Sequence, residues 1–253
     1  MKRITPVLFL GCSLLLARAV ADDLADLRER AQQGEAAAQV ALGTQYAMGR
    51  GVAKDGAEAV KWWRLAAAQG DATAAYDLGQ ACDNGDGVPK DSVEAARWWR
   101  LAADRGVASA QFNLGMLLAG GESGPADAAG AAAWFLKAAA QGHAGAQTRL
   151  GLAYAEGTGV PKDAPLALKW YRLAAVQGVA AAQFNLGVMY VNGTGVAKDA
   201  TEGYAWINVA AASGNATFVS ARDLLERRLG TEATLAGQKR SREILAEIAA
   251  AKH

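Results

Sequence analysis

Glycines recur at a fixed interval of 36 residues through most of this 253-residue sequence. The series is Gly34, Gly70, Gly106, Gly142, Gly178 and Gly214. It divides the chain into five consecutive segments, 34–69, 70–105, 106–141, 142–177 and 178–213. An interval of this length is the signature of a tandem repeat, in which each unit buries its apolar face against its neighbours. The spacing therefore predicts a repeat protein.

The first half of each segment has the spacing of an amphipathic helix, which we name helix A. Ala38, Leu42 and Tyr46 are four residues apart, so they share one face of a helix with about 3.6 residues per turn. The leucine is followed by glycine in every segment: Leu42-Gly43, Leu78-Gly79, Leu114-Gly115, Leu150-Gly151 and Leu186-Gly187. Glycine in a helix interior costs about 1 kcal/mol relative to alanine. Its recurrence predicts that another backbone, that of a second helix, approaches too closely to allow a side chain.

The second half of each segment is predicted to form this second helix, helix B. Asp55, Asp91 and Asp199 are each followed three residues later by glutamate, a variant of the capping box that starts helices. A tryptophan then recurs, and we expect its indole to be buried across helix A: Trp62, Trp98, Trp134, Trp170 and Trp206. The next residue is also aromatic at Trp63, Trp99, Phe135 and Tyr171. Adjacent side chains on a helix point about 100° apart, so both are buried only if stacking encloses helix B on two sides.

Four of the five segments carry Gly-x-Gly-Val between the two helices, at 49–52, 85–88, 157–160 and 193–196. The first glycine is predicted to end helix A in a left-handed conformation, and the second to allow the turn. A phosphate-binding loop is disfavoured because no strand precedes the glycines and no Gly-Lys-Ser/Thr follows them. The third segment instead reads GGESGPAD at 120–127, where we expect a looser connection.

Residues 1–21 have the layout of a secretory signal peptide. A basic start precedes an apolar run over 4–16, and residues 19–21 read Ala-Val-Ala, which fits a cleavage site. The run is too short for a comfortable membrane span. We expect export to the periplasm or the medium, with no transmembrane segment after cleavage. A lipoprotein is disfavoured because residues 9–12, Phe-Leu-Gly-Cys, begin with a residue that suits the lipid-attachment motif poorly.

Removal of residues 1–21 would leave 23 basic and 25 acidic residues, a net charge near −2. This balance argues against nucleic acid as a partner. Cys82 would be the only cysteine left, so no intramolecular disulfide can form even in an oxidising compartment. Cys82 occupies the repeat position of Tyr46, which predicts a small buried residue rather than a reactive thiol.

A stack of repeats needs polar terminal pieces. Residues 22–33 are predicted to form an N-terminal capping helix, and 215–253 to form C-terminal capping helices over 216–228 and 232–250, with Thr231 as a cap. The last helix is predicted to turn an apolar stripe toward the protein: Leu235, Ile244, Leu245 and Ile248. The opposite stripe is predicted to lie in solvent: Lys239, Arg240, Arg242 and Glu243.

The pattern as a whole resembles the Sel1-like repeat, a relative of the tetratricopeptide repeat. It runs Ala, Leu-Gly, Tyr, Gly-x-Gly-Val, Asp, Ala, Trp, Ala-Ala and Gly over 36 residues, and it covers 34–214. The ending that begins Tyr204-Ala205-Trp206 is also similar to the usual close of such proteins. The resemblance implies an all-α, right-handed α/α solenoid. It further implies an exported, non-catalytic scaffold or adaptor that binds a partner protein or peptide.

The resemblance also implies where that partner binds, because helix A copies line the concave side of such solenoids. The position before the helix A leucine reads Ala41, Asp77, Asn113, Arg149 and Asn185. Asn113 and Asn185 stand in the Asn-Leu-Gly context in which tetratricopeptide grooves hold a peptide main chain, and an amide both donates and accepts. Asp77 and Arg149 are expected to add selectivity by charge. A second, mostly apolar helix A position is expected to pack between helix A copies, with an exposed anchor for the partner as the alternative: Val40, Tyr76, Phe112, Thr148 and Phe184.

An enzyme is the alternative, because some secreted cysteine-rich Sel1-like proteins have been described as β-lactamases, and a cell-wall-related activity belongs to the same class. This sequence has no Ser-x-x-Lys and no Lys-Thr-Gly, and it lacks the paired cysteines of that subgroup. His143 and His253 lie in no metal or triad pattern. We therefore predict no catalysis, no cofactor and no metal. A secreted factor that binds a host protein is a further alternative, which the sequence does not separate from a periplasmic scaffold.

Overall fold

The computed structural model describes residues 23–250, and the predicted signal peptide at 1–21 lies outside them. The described residues form thirteen α-helices and no β-strand, as expected for an all-α repeat protein. The first helix, α1, spans 23–32. The others are α2 (Ala36–Met48), α3 (Gly56–Ala68), α4 (Ala72–Asn84), α5 (Ser92–Asp104), α6 (Ala108–Gly120), α7 (Ala128–Ala140), α8 (Ala144–Glu156), α9 (Ala164–Val176), α10 (Ala180–Asn192), α11 (Ala200–Ala211), α12 (Ala216–Leu229) and α13 (Thr231–Ala250). Helix A of the five segments is α2, α4, α6, α8 and α10, and the helix after each is its helix B.

The chain forms two compact units, and the boundary between residues 110 and 111 lies inside α6. In the first unit α2 packs on α3, α3 on α4 and α4 on α5. In the second unit α7 packs on α8, α8 on α9, α9 on α10 and α10 on α11, and α11 also packs on α12 and α13. Each unit is thus a row of helices that contact their neighbours in sequence, which is the arrangement of an all-α solenoid.

The connections from helix A to helix B have the predicted caps. Gly49 ends α2 in the left-handed conformation, with φ 68° and ψ 33°, and the glycines after α4, α8 and α10 do the same. The Asp55 side chain accepts hydrogen bonds from the backbone N–H groups of Ala57 and Glu58 at the start of α3. The aspartates before α5 and α11 are caps as well. The local sequence therefore sets where these helices begin and end.

The connection from α6 to α7 keeps the closing bond and the cap of the others but lacks one of their backbone hydrogen bonds. In the first segment the N–H of Arg50 donates to the carbonyl of Gln45, and Glu122 makes no equivalent bond with the described residues, so the connection is looser at this point. The backbone N–H of Asp127 donates to the carbonyl of Leu118 at 2.8 Å. The equivalent bond in the first segment, from Asp55 to Tyr46, measures 2.9 Å. The Asp127 carboxylate also accepts from the N–H of Gly130 at 2.8 Å. One backbone bond and one cap hold this connection without the Gly-x-Gly-Val sequence.

The glycine after each helix A leucine lies against helix B, as predicted, but at four of the five positions the nearest atoms belong to a large side chain and not to the predicted backbone. A methyl group at Gly43 would lie 2.6 Å from Nε1 of Trp63, and one at Gly115 would lie 2.6 Å from Cε1 of Phe135. Real side chains do not approach so closely, so these positions exclude any residue larger than glycine. The side chains in this place are Trp63, Trp99, Phe135, Tyr171 and Ile207, and all are buried.

The prediction gave this place to the preceding tryptophan of each segment, and that assignment was wrong. Trp62, Trp98 and Trp170 are only partly buried. Helix A crosses helix B on the side of the following residue, about 100° further round the helix. The tryptophan that precedes this residue therefore points toward the edge of the contact between the two helices. Trp134 and Trp206 are nevertheless buried.

Buried glutamines near the start of helix A link successive helices, and the sequence reasoning did not anticipate them. Gln39 is 3% exposed. Its side-chain N–H donates to the carbonyl of Ala31 at 3.1 Å, and its side-chain oxygen accepts from Gln69 at 2.8 Å. A buried amide is stable only when both of its ends have partners. The same pairing recurs for Gln111 with Gln141 and for Gln147 with Gln177.

The second segment lacks this glutamine pair altogether. Ala75 stands at the position of Gln39, and Arg105 stands at the position of Gln69. Ala75 is fully buried and has no side-chain polar group to satisfy. Both members of the pair have therefore been replaced together.

The final helix buries small residues as well as the predicted isoleucines. Ile244 and Ile248 are buried as predicted, but Leu235 and Leu245 are 59% and 47% exposed, so that part of the predicted stripe was wrong. Thr234, Gly237 and Ser241 complete the buried face. A methyl group at Gly237 would lie 2.5 Å from the ring of Tyr204. Small residues are required here because α13 lies so close to α11.

Arg240 connects α13 to α11, whereas it was predicted to lie in solvent with Lys239, Arg242 and Glu243. Its Nε donates to Glu202 at 3.0 Å, and its Nη1 donates to Glu247 at 2.8 Å. Glu202 also accepts from the indole N–H of Trp206 at 2.9 Å. The C-terminal helix is thus held by a charged network as well as by apolar burial, and the other three residues are exposed as predicted.

Candidate functional site

The predicted partner-binding residues lie on four different helix A copies. Asp77 is on α4, Asn113 on α6, Arg149 on α8 and Asn185 on α10, and each precedes a buried leucine. The side chain of Arg149 is exposed, and the other three are partly buried. Asp77 belongs to the first unit and the other three to the second.

Within each unit, this position lies beside the buried ring of the preceding helix B. The pairs are Asp77 with Trp63, Arg149 with Phe135, and Asn185 with Tyr171. The polar residue of each pair was predicted from the sequence as a contact for the partner, and the aromatic residue was not. The available signal was the large residue that stands 20 positions after each helix A glycine, as Trp63 follows Gly43.

The first unit contains a cavity of about 300 Å³ between α2, α3 and α4. Its charged lining residues are Lys54, Asp77 and Asp86. Trp63 and Met48 are among the uncharged lining residues, and Met48 is 55% exposed. Two carboxylates and one ammonium group give the wall a negative charge.

Asp77 is a partly buried carboxylate without a partner. Its side chain forms no hydrogen bond or ion pair with any residue in the range 23–250. Burial raises the pKa of Asp77 to about 6, and repulsion from the Asp71 carboxylate adds to the rise. An ionised group that is desolvated and unpaired destabilises the folded protein. Such a group is a candidate for ligand binding, because a ligand can supply the missing partner.

Trp63 has a buried indole N–H that finds no hydrogen-bond partner in the described structure. One segment later the equivalent Trp99 donates to the carbonyl of Tyr76 at 3.2 Å. The corresponding carbonyl for Trp63 is that of Val40, and it accepts the hydroxyl of Thr44 at 2.9 Å. Thr44 has thus taken the acceptor, and the buried indole N–H beneath Gly43 stays unsatisfied.

The second unit has a cavity of about 100 Å³ at the same place in the repeat. Phe135 and Arg149 occupy the positions of Trp63 and Asp77. Glu156 is the other charged lining residue. The same position in the repeat therefore presents an anion in one unit and a cation in the other.

Asn185 lies against the hydroxyl of Tyr171. Burial and the nearby Glu156 carboxylate raise the pKa of Tyr171 to about 12, although its hydrogen bond to Asn185 opposes the rise. A side-chain amide offers two donors and an oxygen with two lone pairs. One bond to Tyr171 leaves Asn185 with capacity for a peptide group.

Two of the five residues at the second helix A position, Phe112 and Phe184, pack between neighbouring helices as predicted. The ring of Phe112 stacks on that of His143 with centroids 4.7 Å apart, and Phe184 stacks on Phe218 at 4.6 Å. His143 also caps α8, since its Nδ1 accepts the backbone N–H of Ala146 at 3.1 Å. Burial lowers the pKa of His143. These rings stabilise the stack, and His143 has a structural role.

The remaining titratable groups of the described residues were predicted to hold no metal and to include one buried cysteine. No group of three or more His, Cys, Asp or Glu side chains between residues 23 and 250 is placed to hold a metal ion. Cys82 is a free, buried cysteine, and burial raises the pKa of its thiol. Among the described helices, none combines the length and the apolar character needed to cross a membrane. The chemistry at the helix A surface is hydrogen bonding and charge pairing.

The sequence pattern of the Sel1 repeat matches this chain five times, over 36–71, 72–107, 108–143, 144–179 and 180–215. Among solved structures, a Sel1 repeat protein from Oxalobacter formigenes is 34% identical with a TM-score of 0.69, over 79% of this chain and 58% of that one. The protein c5321, a protective antigen of uropathogenic Escherichia coli strains with an SLR fold, is 28% identical with a TM-score of 0.59, over 88% and 56%. The chain thus spans less than two thirds of either structure. No curated protein matches it.

Proposed function

Because the chain belongs to the Sel1 repeat family, we propose that it is a non-catalytic scaffold that binds a partner protein or peptide along its helix A copies. Sel1 repeat proteins are generally protein-interaction scaffolds. The proposed surface is the concave side of the repeats. Its proposed contact residues are Asp77, Asn113, Arg149 and Asn185.

The observation that carries this proposal is the unpaired carboxylate of Asp77 in a cavity between two helix A copies. An unpaired, partly buried charge lowers stability, so a purely structural role does not account for it. The same repeat position holds Arg149 and Asn185, which offer a cation and an amide. Different polar groups on rigid, equivalent helices suit the recognition of successive residues in a polypeptide.

We also propose that the protein acts outside the cytoplasm, in the periplasm or the medium. The support is the basic start and apolar run of residues 1–21. Fractionation of cells that express the full chain tests this proposal. Recovery in the periplasm supports an envelope scaffold, and recovery in the medium supports a secreted factor that binds a host protein. A cytoplasmic protein of unprocessed mass contradicts export.

The binding proposal is tested by capture of partners on the immobilised chain with residues 1–21 removed. The triple variant Asn113→Ala, Arg149→Ala, Asn185→Ala is compared with a matched variant on the exposed face of helix B, Lys61→Ala, Arg97→Ala, Lys169→Ala. The helix A variant is expected to lose the partners that the parent chain captures, and the helix B variant to keep them. Unchanged capture by a folded helix A variant would rule out the assigned surface.

A further inference from the structure

The cavity in the first unit has the size and charge of a seat for one basic side chain. We propose that it binds a lysine or arginine side chain of the partner polypeptide and that the cationic group pairs with Asp77. This inference rests on the proposed function, since it takes the ligand to be a polypeptide on the helix A surface. It adds the chemistry of one residue that the partner must carry.

The cavity is formed by two helix A copies with a helix B behind them. Thr44 and Met48 come from α2, Asp77 and Gln80 come from α4, and Trp63 comes from α3. Its volume of about 300 Å³ lies at the lower limit for ligand pockets. This space suits one long side chain rather than a second helix.

Charge complementarity selects a cation for this space. The Asp77 carboxylate has no partner among the described residues, and Asp86 is a second carboxylate in the same wall. Lys54 also lines the cavity, yet it forms no ion pair with either of them in the described structure. An incoming ammonium or guanidinium group would supply the missing charge-assisted hydrogen bond. The indole of Trp63 is a further favourable neighbour for a cation.

The apolar part of the wall favours a side chain over a metal ion. Ala47, Met48, Ala59 and Ala81 line the cavity beside the charged groups. The methylene stem of lysine or arginine packs on such a surface while its head reaches a charge. A metal ion would need several convergent ligands, and the described residues provide no such group.

The test is a titration of the chain, with residues 1–21 removed, against Nα-acetyl-arginine amide and Nα-acetyl-lysine amide. The indole N–H signal of Trp63, assigned through Trp63→Phe, reports binding by NMR because the Trp63 side chain lines the cavity. The neutral probe is Nα-acetyl-glutamine amide, and spermidine represents a free amine. We expect saturable shifts with both basic amides and at least about tenfold weaker binding of the glutamine amide.

Two variants and a pH series sharpen the result. Asp77→Asn keeps the shape of the side chain and should weaken binding of the basic amides about tenfold. Asp104→Asn removes an exposed carboxylate of α5 that does not line the cavity, and it should bind as the parent does. Affinity should fall as the pH drops below about 6, where Asp77 takes up a proton. The other charged groups around Asp77 are Asp71, Lys54 and Asp86.

Several outcomes would overturn the inference. They are equal affinity for the glutamine amide, unchanged affinity in Asp77→Asn, and tighter binding of spermidine than of either amide. The capture experiment separates this failure from failure of the proposed function. If partners are captured but the cavity does not prefer basic amides, only the proposed binding of a basic side chain is rejected. If the cavity prefers basic amides but no partner is captured, the proposed scaffold function is rejected and a cation-binding cavity remains.

Discussion

The cavities of the two units occupy the same place in the repeat and differ in what lines them. In the first, Trp63 stands behind Asp77 in a space of about 300 Å³. In the second, Phe135 stands behind Arg149 in a space of about 100 Å³. The helices that form them, α2, α3 and α4 in one case and α6, α7 and α8 in the other, each have 13 residues. The backbone is therefore shared, and the side chains alone set the charge and the size.

This difference shows how a repeat separates folding from recognition. The residues that hold the helices together are glycine, leucine and a large ring, and they recur. The residue before the leucine contacts the ring but is not needed for the helix crossing. It can therefore change from aspartate to arginine without a change of fold. Substitution of the ring should therefore have a similar effect on stability in both units. The polar position should attract ligand groups of opposite charge in the two units.

The largest effect is expected from removal of the ring behind each cavity. Trp63→Ala and Phe135→Ala should each lower the free energy of unfolding by about 3 to 5 kcal/mol, because each ring fills the space over a helix A glycine. Urea denaturation followed by circular dichroism measures the loss. Trp62→Ala is the control, and it should cost less because Trp62 is only partly buried. If one of the two variants lowered the free energy of unfolding by less than about 1 kcal/mol, the two rings would not have equivalent packing roles in the two units.

A smaller effect of opposite sign is expected for Asp77→Asn. The pKa of Asp77 in the folded protein is about 6, above the value of about 3.9 expected for an unfolded chain. Below about pH 4 Asp77 is protonated in the folded and the unfolded state, so it does not lower the stability. As the pH rises through 6, the ionised form is favoured in the unfolded chain, and the free energy of unfolding falls. At neutral pH the variant should be more stable by about 1 to 2 kcal/mol, a figure reduced because the group is partly exposed.

The pH dependence provides the control for this variant. The gain from Asp77→Asn should disappear near pH 4, and denaturation midpoints at the two pH values measure it. Arg149→Gln in the other cavity should change stability by less than about 0.5 kcal/mol at both, since Arg149 is exposed. A gain for Asp77→Asn that stays constant with pH would show that ionisation is not its cause.

The smallest effect is expected for Thr44→Val, which removes the side-chain hydroxyl that donates to the carbonyl of Val40. Removal of the hydroxyl frees the carbonyl of Val40, which then becomes available to the indole of Trp63 as the carbonyl of Tyr76 is to Trp99. The lost and gained hydrogen bonds nearly balance, so stability should change by less than about 1 kcal/mol. The indole N–H signal of Trp63 should move downfield. An unmoved signal would show that the donor already has a partner.

The repeat length, the helices and their caps could be predicted from sequence because they depend on local chemistry. Asp55 caps a helix through its own N–H neighbours, and Gly49 ends one through its own backbone. The choice between Trp62 and Trp63 could not be made locally. Both are apolar, alanines surround them, and only the crossing of another helix decides which one faces inward.

The candidate site shows the same division. The sequence identified Asp77 as a polar residue on helix A, and the structure places it beside Trp63 in a cavity. Its lack of a partner is a property of the folded chain, because it depends on where Lys54 and Asp86 lie. The exposed Leu235 and Leu245 were misjudged for a similar reason, since the inner face of α13 is set by its contact with Tyr204 on α11.

The glutamine pairs have a consequence for anyone who recombines these repeats. Gln39 and Gln69 are 30 positions apart, yet each completes the other, and the second segment carries Ala75 and Arg105 in their stead. A chimera that separates the two loses this hydrogen bond, although the fifth segment keeps a buried Gln183 with Ser213 at the position of Gln69. Such positions should be exchanged as a couple, so the smallest safe module for engineering is the whole two-helix segment.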